Sequence, residues 1–110
     1  MFKKAERLSR SEFERYFKSG KRYTTPNLTL IHTPHPQLHV GVVVSKKVDK
    51  KAHERNQLRR RVYGKLYRAL KPTKTGVFIM LLKPPFKSLA KNEQTQEVQK
   101  ILNRITMSTT

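Results

Sequence analysis

The sequence predicts a single-domain α+β sandwich, one β-sheet with helices packed against it, in the order α-β-β-β-α-β-α over residues 1–110. Three observations carry this. Apolar residues recur at helical spacing in three stretches and form β-branched, strand-like runs between them. A chain of 110 residues has room for one compact core and no second. Only 35% of the residues are hydrophobic, yet they fall within those periodic clusters, so a small core is feasible.

The elements follow in order. Ser11-Glu12-Phe13-Glu14 reads as a capping box, with Ser11 accepting from a first-turn amide and Glu14 reaching back. A short helix is expected to about Lys18, with Gly20 as its stop. Phe13 and Phe17 stand four residues apart and share one face, with Tyr16 beside them. Lys21 to Thr25 reads as a short strand and Leu28 to His32 as a second, which Pro34 and Pro36 break. Leu38 to Val44 resumes in β-favouring residues, and a hairpin partner of the preceding strand is its natural reading.

The loop from Ser45 to Lys51 leads into the strongest helix candidate, Ala52 to Leu70. Leu58, Val62, Leu66 and Ala69 form its expected buried stripe. Lys71 to Gly76 ends it. Val77 to Leu82 is a continuous apolar run, expected as a central strand covered on both faces and terminated at Lys83-Pro84-Pro85. A last helix starts from Asn92 as N-cap and aligns Val98, Ile101, Leu102 and Ile105.

Charge narrows the function. Twenty-five Lys and Arg against seven Asp and Glu leave +18, and residues 46–74 alone carry twelve basic and two acidic side chains. That excess lies on a periodic, folded segment rather than a low-complexity tail, so the partner is a polyanion. With Leu58 as the core direction and 100° per residue, Arg55, Asn56, Arg59 and Arg60 share one exposed arc, continued by Tyr63 and Tyr67. Guanidinium groups bind phosphate oxygens in pairs, and an Asn side chain bonds a base or a sugar hydroxyl. Lys46, Lys47, Lys50 and Lys51 extend the surface. An Arg-rich face is often no more than solvated helix, but Glu54 finds only Gln57 and Leu58 at the pairing positions ahead of it. Repulsion left unrelieved favours binding.

Phe13 and Phe17 are core residues on spacing alone, although the basic residues around their short helix leave open a role in stacking unpaired bases. Catalytic chemistry has little to stand on. The absence of cysteine removes disulfides and thiolate ligands. His32, His35 and His39 match no metal spacing, and Asp49 is the only Asp. Glu93 and Glu97 are accounted for by a helix dipole, and no Gly-rich phosphate loop exists. No catalytic or metal-ligating residue is expected in this chain. The longest apolar run falls far short of the roughly 20 residues of a membrane span, and no apolar signal follows Met1-Phe2-Lys3-Lys4. A cytoplasmic protein with no membrane association is expected.

The run Val42-Val43-Val44-Ser45-Lys46-Lys47, followed by Ala52-His53-Glu54-Arg55-Asn56-Gln57-Leu58-Arg59-Arg60, resembles the protein subunit of bacterial ribonuclease P. Leu8, Phe13, Phe17 and Gly20 agree with that family's first helix, and the likeness extends along nearly the whole chain. It implies a fold like the second domain of a small-subunit ribosomal protein, with a left-handed β-α-β crossover. It implies that the holoenzyme removes 5′ leaders from precursor tRNA, with hydrolysis by the RNA subunit and Mg²⁺ bound mainly there. Carried over by position, Lys46, Lys47, Arg55, Asn56, Arg59 and Arg60 contact RNA, and Phe13 and Phe17 line a cleft for the leader. The partners implied are ribonuclease P RNA and the precursor tRNA leader, with no obligate protein partner. Gln57 stands where members often have Arg or Lys, and Glu54 where many have a basic or neutral residue. Two other readings are open: a structural ribosomal RNA-binding protein and a general basic RNA chaperone.

Overall fold

The chain, as a computed structural model, is described over residues 7–70 and 75–108. It begins with α1 (Arg10–Ser19), capped by Ser9: the Ser9 hydroxyl accepts the Glu12 N–H, and the Glu12 carboxylate accepts the Ser9 N–H at 3.1 Å. The sequence holds two overlapping Ser-x-x-Glu frames, and the helix uses the earlier one rather than Ser11 and Glu14. Glu14 instead faces Arg10 in an exposed pair at 3.7 Å. Gly20 does stop α1, but in extended backbone (φ −74°, ψ 157°). What requires glycine there is space, because a Cβ would lie 2.3 Å from Ile31 Cγ2.

Four strands follow: β1 (Lys21–Thr24), β2 (Leu28–Thr33), β3 (Leu38–Val43) and, after α2 (Ala52–Leu70), β4 (Gly76–Leu82). The helix end expected at Lys71 lies outside the described residues. A single turn, α3 (Pro84–Lys87), and a long helix, α4 (Lys91–Ser108), complete the chain. The order is thus the expected one with α3 inserted.

The sheet order is β1-β2-β4-β3. Leu38 to Val43 is therefore not the hairpin partner of β2: the hairpin is β1–β2, and β4 lies antiparallel to β2 and parallel to β3. The reason is the apolar load of β4. Phe78, Met80 and Leu82 bury toward one face, and Val77 and Ile79 toward the other. At about 1.5–3 kcal/mol per buried side chain, the central position outweighs the loop-closure entropy of inserting between β2 and β3, about 0.6 kcal/mol per doubling of loop length. Gly76 opens β4 at φ +118°, a backbone region that favours glycine.

The larger core lies between one sheet face and helices α2 and α4, with Leu58, Val62, Leu66 and Leu70 inward from α2 and Val98, Ile101, Leu102 and Ile105 from α4. Leu70 takes the place expected for Ala69, which is only partly buried. The α4 start also differs: Ala90 O accepts the Gln94 N–H, and Glu93 Oε1 accepts the Ala90 N–H at 2.9 Å, so Asn92 lies within the first turn. On the opposite sheet face, Ile31, Val77 and Ile79 pack under Phe13, Tyr16 and Phe17 of α1. α1 covers only part of this face. No described helix is long and apolar enough to cross a membrane.

Candidate nucleic-acid interface

The loop between β3 and α2 is fixed before it presents charge. Ser45 O accepts the Val48 N–H at 3.0 Å, and Val48 is buried in the core. Asp49 Oδ1 accepts the Lys51 N–H at 3.0 Å, and Oδ2 pairs with Lys87 Nζ of α3 at 2.6 Å. The Lys87 contact, with the Lys51 amide, holds the Asp49 carboxyl below the usual carboxylate range. Lys46 and Lys47 stand exposed on the turn that these bonds hold.

Of the α2 residues singled out from the sequence, Arg55 is turned inward. Its Nη1 donates to Asp49 O at 3.0 Å and to Lys50 O at 2.9 Å, which ties the loop to the helix start. Asn56 is exposed, and its Oδ1 accepts from Arg59 Nη1 at 2.6 Å. That bond holds the half-buried Arg59 along the helix surface, while Arg60 projects into solvent one residue further on. The structure therefore keeps Asn56, Arg59 and Arg60 together as an outward surface and uses Arg55 as the brace behind it.

One turn beyond Arg59, the Tyr63 hydroxyl accepts the Val42 N–H at 3.2 Å. β3 is an edge strand, and its outer side is further engaged by the Leu8 N–H on Val40 O at 3.3 Å. Between these two attachments opens a groove of about 310 Å³ lined by Leu8, Ser9, Arg10, Phe13, Gly41, Val42, Val43 and Tyr63. Gly41 leaves its floor low: a Cβ there would meet Leu8 Cδ1 at 3.4 Å and Phe13 Cδ2 at 3.6 Å.

Phe13 and Phe17 lie with ring centroids 5.7 Å apart, but they serve different surroundings. Phe13 lines the groove. Phe17 does not; the Arg22 guanidinium lies over its ring at 4.7 Å, and Arg22 Nη2 donates to Phe17 O at 3.1 Å. Sequence reasoning missed Gly41 and Val43 as groove residues and Arg22 as the cover of Phe17. Tyr63 was visible on the α2 arc, four residues after Arg59, but not as a groove wall. Among the described residues no group of three or more His, Asp or Glu side chains converges to hold a metal.

The arrangement offers a partly apolar groove flanked by a basic helix face. The family model for ribonuclease P matches residues 2–106 of the chain. The chain is 42% identical over 55 residues to the ribonuclease P protein component of Pseudoalteromonas atlantica, a stretch covering 48% of this chain and 46% of that protein. It is 29% identical over 97 residues to the corresponding protein of Nitratiruptor sp., covering 88% of each. Its fold is similar to that of the Staphylococcus aureus RNase P protein, with TM-score 0.82 and 19% identity over 93% of this chain and 96% of that one. A mutant of the same S. aureus protein, described as defective in mRNA degradation activity, matches with TM-score 0.83 and 18% identity over 94% and 90% of the two chains.

Proposed function

The chain belongs to the ribonuclease P protein family, and on that premise we propose that it is the protein subunit of a cytoplasmic ribonuclease P ribonucleoprotein, binding the RNA subunit and the single-stranded 5′ leader of precursor tRNA. The observation that carries this reading is that one helix serves both surfaces. α2 presents Asn56, Arg59 and Arg60 outward and, one turn later, supplies Tyr63 to the groove that Phe13 and Gly41 complete.

In this reading Lys46, Lys47, Asn56, Arg59 and Arg60 meet the phosphate backbone of the RNA subunit, and Arg55 positions the loop that carries the lysines. The leader enters the groove extended, one base against Phe13, with Arg10 at the rim for a phosphate. Arg22 holds Phe17 as a support beneath α1 rather than as a second platform. Mg²⁺, the metal the family implies, is held mainly by the RNA subunit in this reading, and among the described residues of this chain no three His, Asp or Glu side chains converge on one point. The chain contributes by orienting the leader, which tightens the grip on precursor over mature tRNA.

The test is the affinity of the reconstituted holoenzyme for precursor and for mature tRNA. Phe13→Ala is expected to cost about 1–3 kcal/mol for the precursor, the size of one lost stacking contact, and to leave mature tRNA unaffected. Equal loss for both RNAs would remove the leader from the groove.

A further inference from the structure

The loop, the bracing Arg55 and the Asn56–Arg60 surface account for seven of the twelve basic side chains between residues 46 and 74. Arg61, Lys65 and Arg68 belong to none of these. They project from the other flank of α2, and Lys65 Nζ donates across the seam between α2 and α4 to Thr95 Oγ1 at 2.7 Å. Thr95 in turn donates to Lys91 O at 3.1 Å, which places Lys91, the first residue of α4, at the same seam.

Among the described residues no carboxylate neutralises this group. Among the described residues the ion pairs are Arg10–Glu14 and Asp49–Lys87, so none of the four cations has a carboxylate partner. Glu54 lines the same small cavity as Arg61 without pairing with it. Burial and the charges of Arg61, Arg68 and Lys91 lower the Lys65 pKa. Arg61 and Lys65 repel at i,i+4, and Lys91 opposes the dipole at the start of α4. Arg68, in the last turn of α2, is the one member that helix electrostatics favours. The arrangement therefore works against the free protein, and an external anion reverses that sign.

We propose that Arg61, Lys65, Arg68 and Lys91, gathered at the seam between α2 and α4, bind the phosphate backbone of a second RNA segment, so that the chain bridges two RNA segments from the two flanks of one helix. The proposal rests on the ribonuclease P reading and goes beyond its single basic surface. RNA fits better than a protein partner, because protein interfaces concentrate aromatic residues and deplete charge at their centres. None of the four cations lies on an aromatic ring, whereas Arg15, Lys21, Arg22 and Arg104 do. The seam thus reads phosphate charge and not base identity.

The experiment measures binding of the full chain to ribonuclease P RNA as a function of salt. Arg61→Gln/Arg68→Gln/Lys91→Gln is expected to lower the salt slope by about two to three units, and Arg59→Gln/Arg60→Gln to lower it separately. The triple variant is expected to melt no lower than the parent, since it removes repulsion. A second readout uses the absence of cysteine: Fe–EDTA tethered at Asn92→Cys or at His53→Cys cleaves nearby RNA. Cleavage of two different RNA segments supports the proposal. An unchanged slope in the triple variant, one common segment cut from both positions, or no cut from Asn92→Cys overturns it while leaving the ribonuclease P reading intact. If the parent chain fails to bind this RNA at all, both readings fall.

Discussion

The hydroxyl of Tyr63 on α2 accepts the N–H of Val42 on β3 at 3.2 Å, so a side chain from the basic helix closes the outer edge of the sheet where the groove begins. An edge strand left open is a template for pairing with other chains. Here the edge is held by Tyr63 at Val42 and by the Leu8 N–H at Val40, and the space between the two attachments becomes the groove. Tyr63→Phe keeps the ring and removes the acceptor from a buried amide. A loss of about 1–2 kcal/mol in urea unfolding is expected, with weaker discrimination of precursor from mature tRNA.

Gly41 sets the depth of the groove. Ala at this position is tolerated at ordinary contact distances from Leu8 and Phe13, but Gly41→Leu fills the space. The Leu variant is expected to lose at least about tenfold in precursor affinity, roughly 1.4 kcal/mol, while its affinity for the RNA subunit is unchanged. Paired binding titrations with the two RNAs check this.

Arg55 and Arg60 lie five residues apart and should fail differently. Arg55 braces the loop through Asp49 O and Lys50 O, whereas Arg60 is exposed on the outward surface. Arg55→Ala is expected to lower the melting temperature and to weaken RNA binding as a consequence. Arg60→Ala should leave stability within about 0.5 kcal/mol and reduce the salt slope by about one phosphate contact. Melting curves with salt titrations separate the two roles.

Acid should destabilise the fold through His32. Burial lowers its pKa below 6.5, and the ring packs on Phe78 at 4.8 Å. Below that unfolded value the unfolded chain takes up a proton that the folded chain resists, so the stability is fully present above about pH 6.5 and is lost as pH falls through the folded pKa. Glu12 and Asp49, also lowered, act in a more acidic window, below their ordinary values of 4.5 and 3.8. A melting temperature that declines between pH 7.5 and 5.5, and declines less in His32→Gln, is the expected outcome.

What was legible in the sequence was what periodicity encodes locally. α2 starts at Ala52 and turns Leu58, Val62 and Leu66 inward as its apolar spacing predicts, and Phe13, Tyr16 and Phe17 share one face of α1. Strand partnership is not local. β3 follows β2 in the chain, yet pairs with β4, because the most apolar strand takes the centre of the sheet. The one-turn α3 escaped notice because its two prolines read as a strand stop, although Phe86 within it is fully buried. The basic candidates are legible as residue types on an arc, but the turn of Arg55 onto the loop depends on where the carbonyls of Asp49 and Lys50 lie. Likewise, Phe13 and Phe17 are equivalent by spacing, and only the position of Arg22 separates the groove ring from the covered one.

The role proposed for this chain is to act with a catalytic RNA in processing the 5′ end of tRNA. Its most direct test is cleavage of a 5′-extended precursor tRNA by bacterial ribonuclease P RNA at low Mg²⁺, with and without the protein. The protein is expected to restore cleavage at the mature 5′ end, to be inert alone, and to lose much of this effect on Gly41→Leu substitution. Binding to the RNA with no change in cleavage would contradict it and make the basic face of α2 a general RNA anchor.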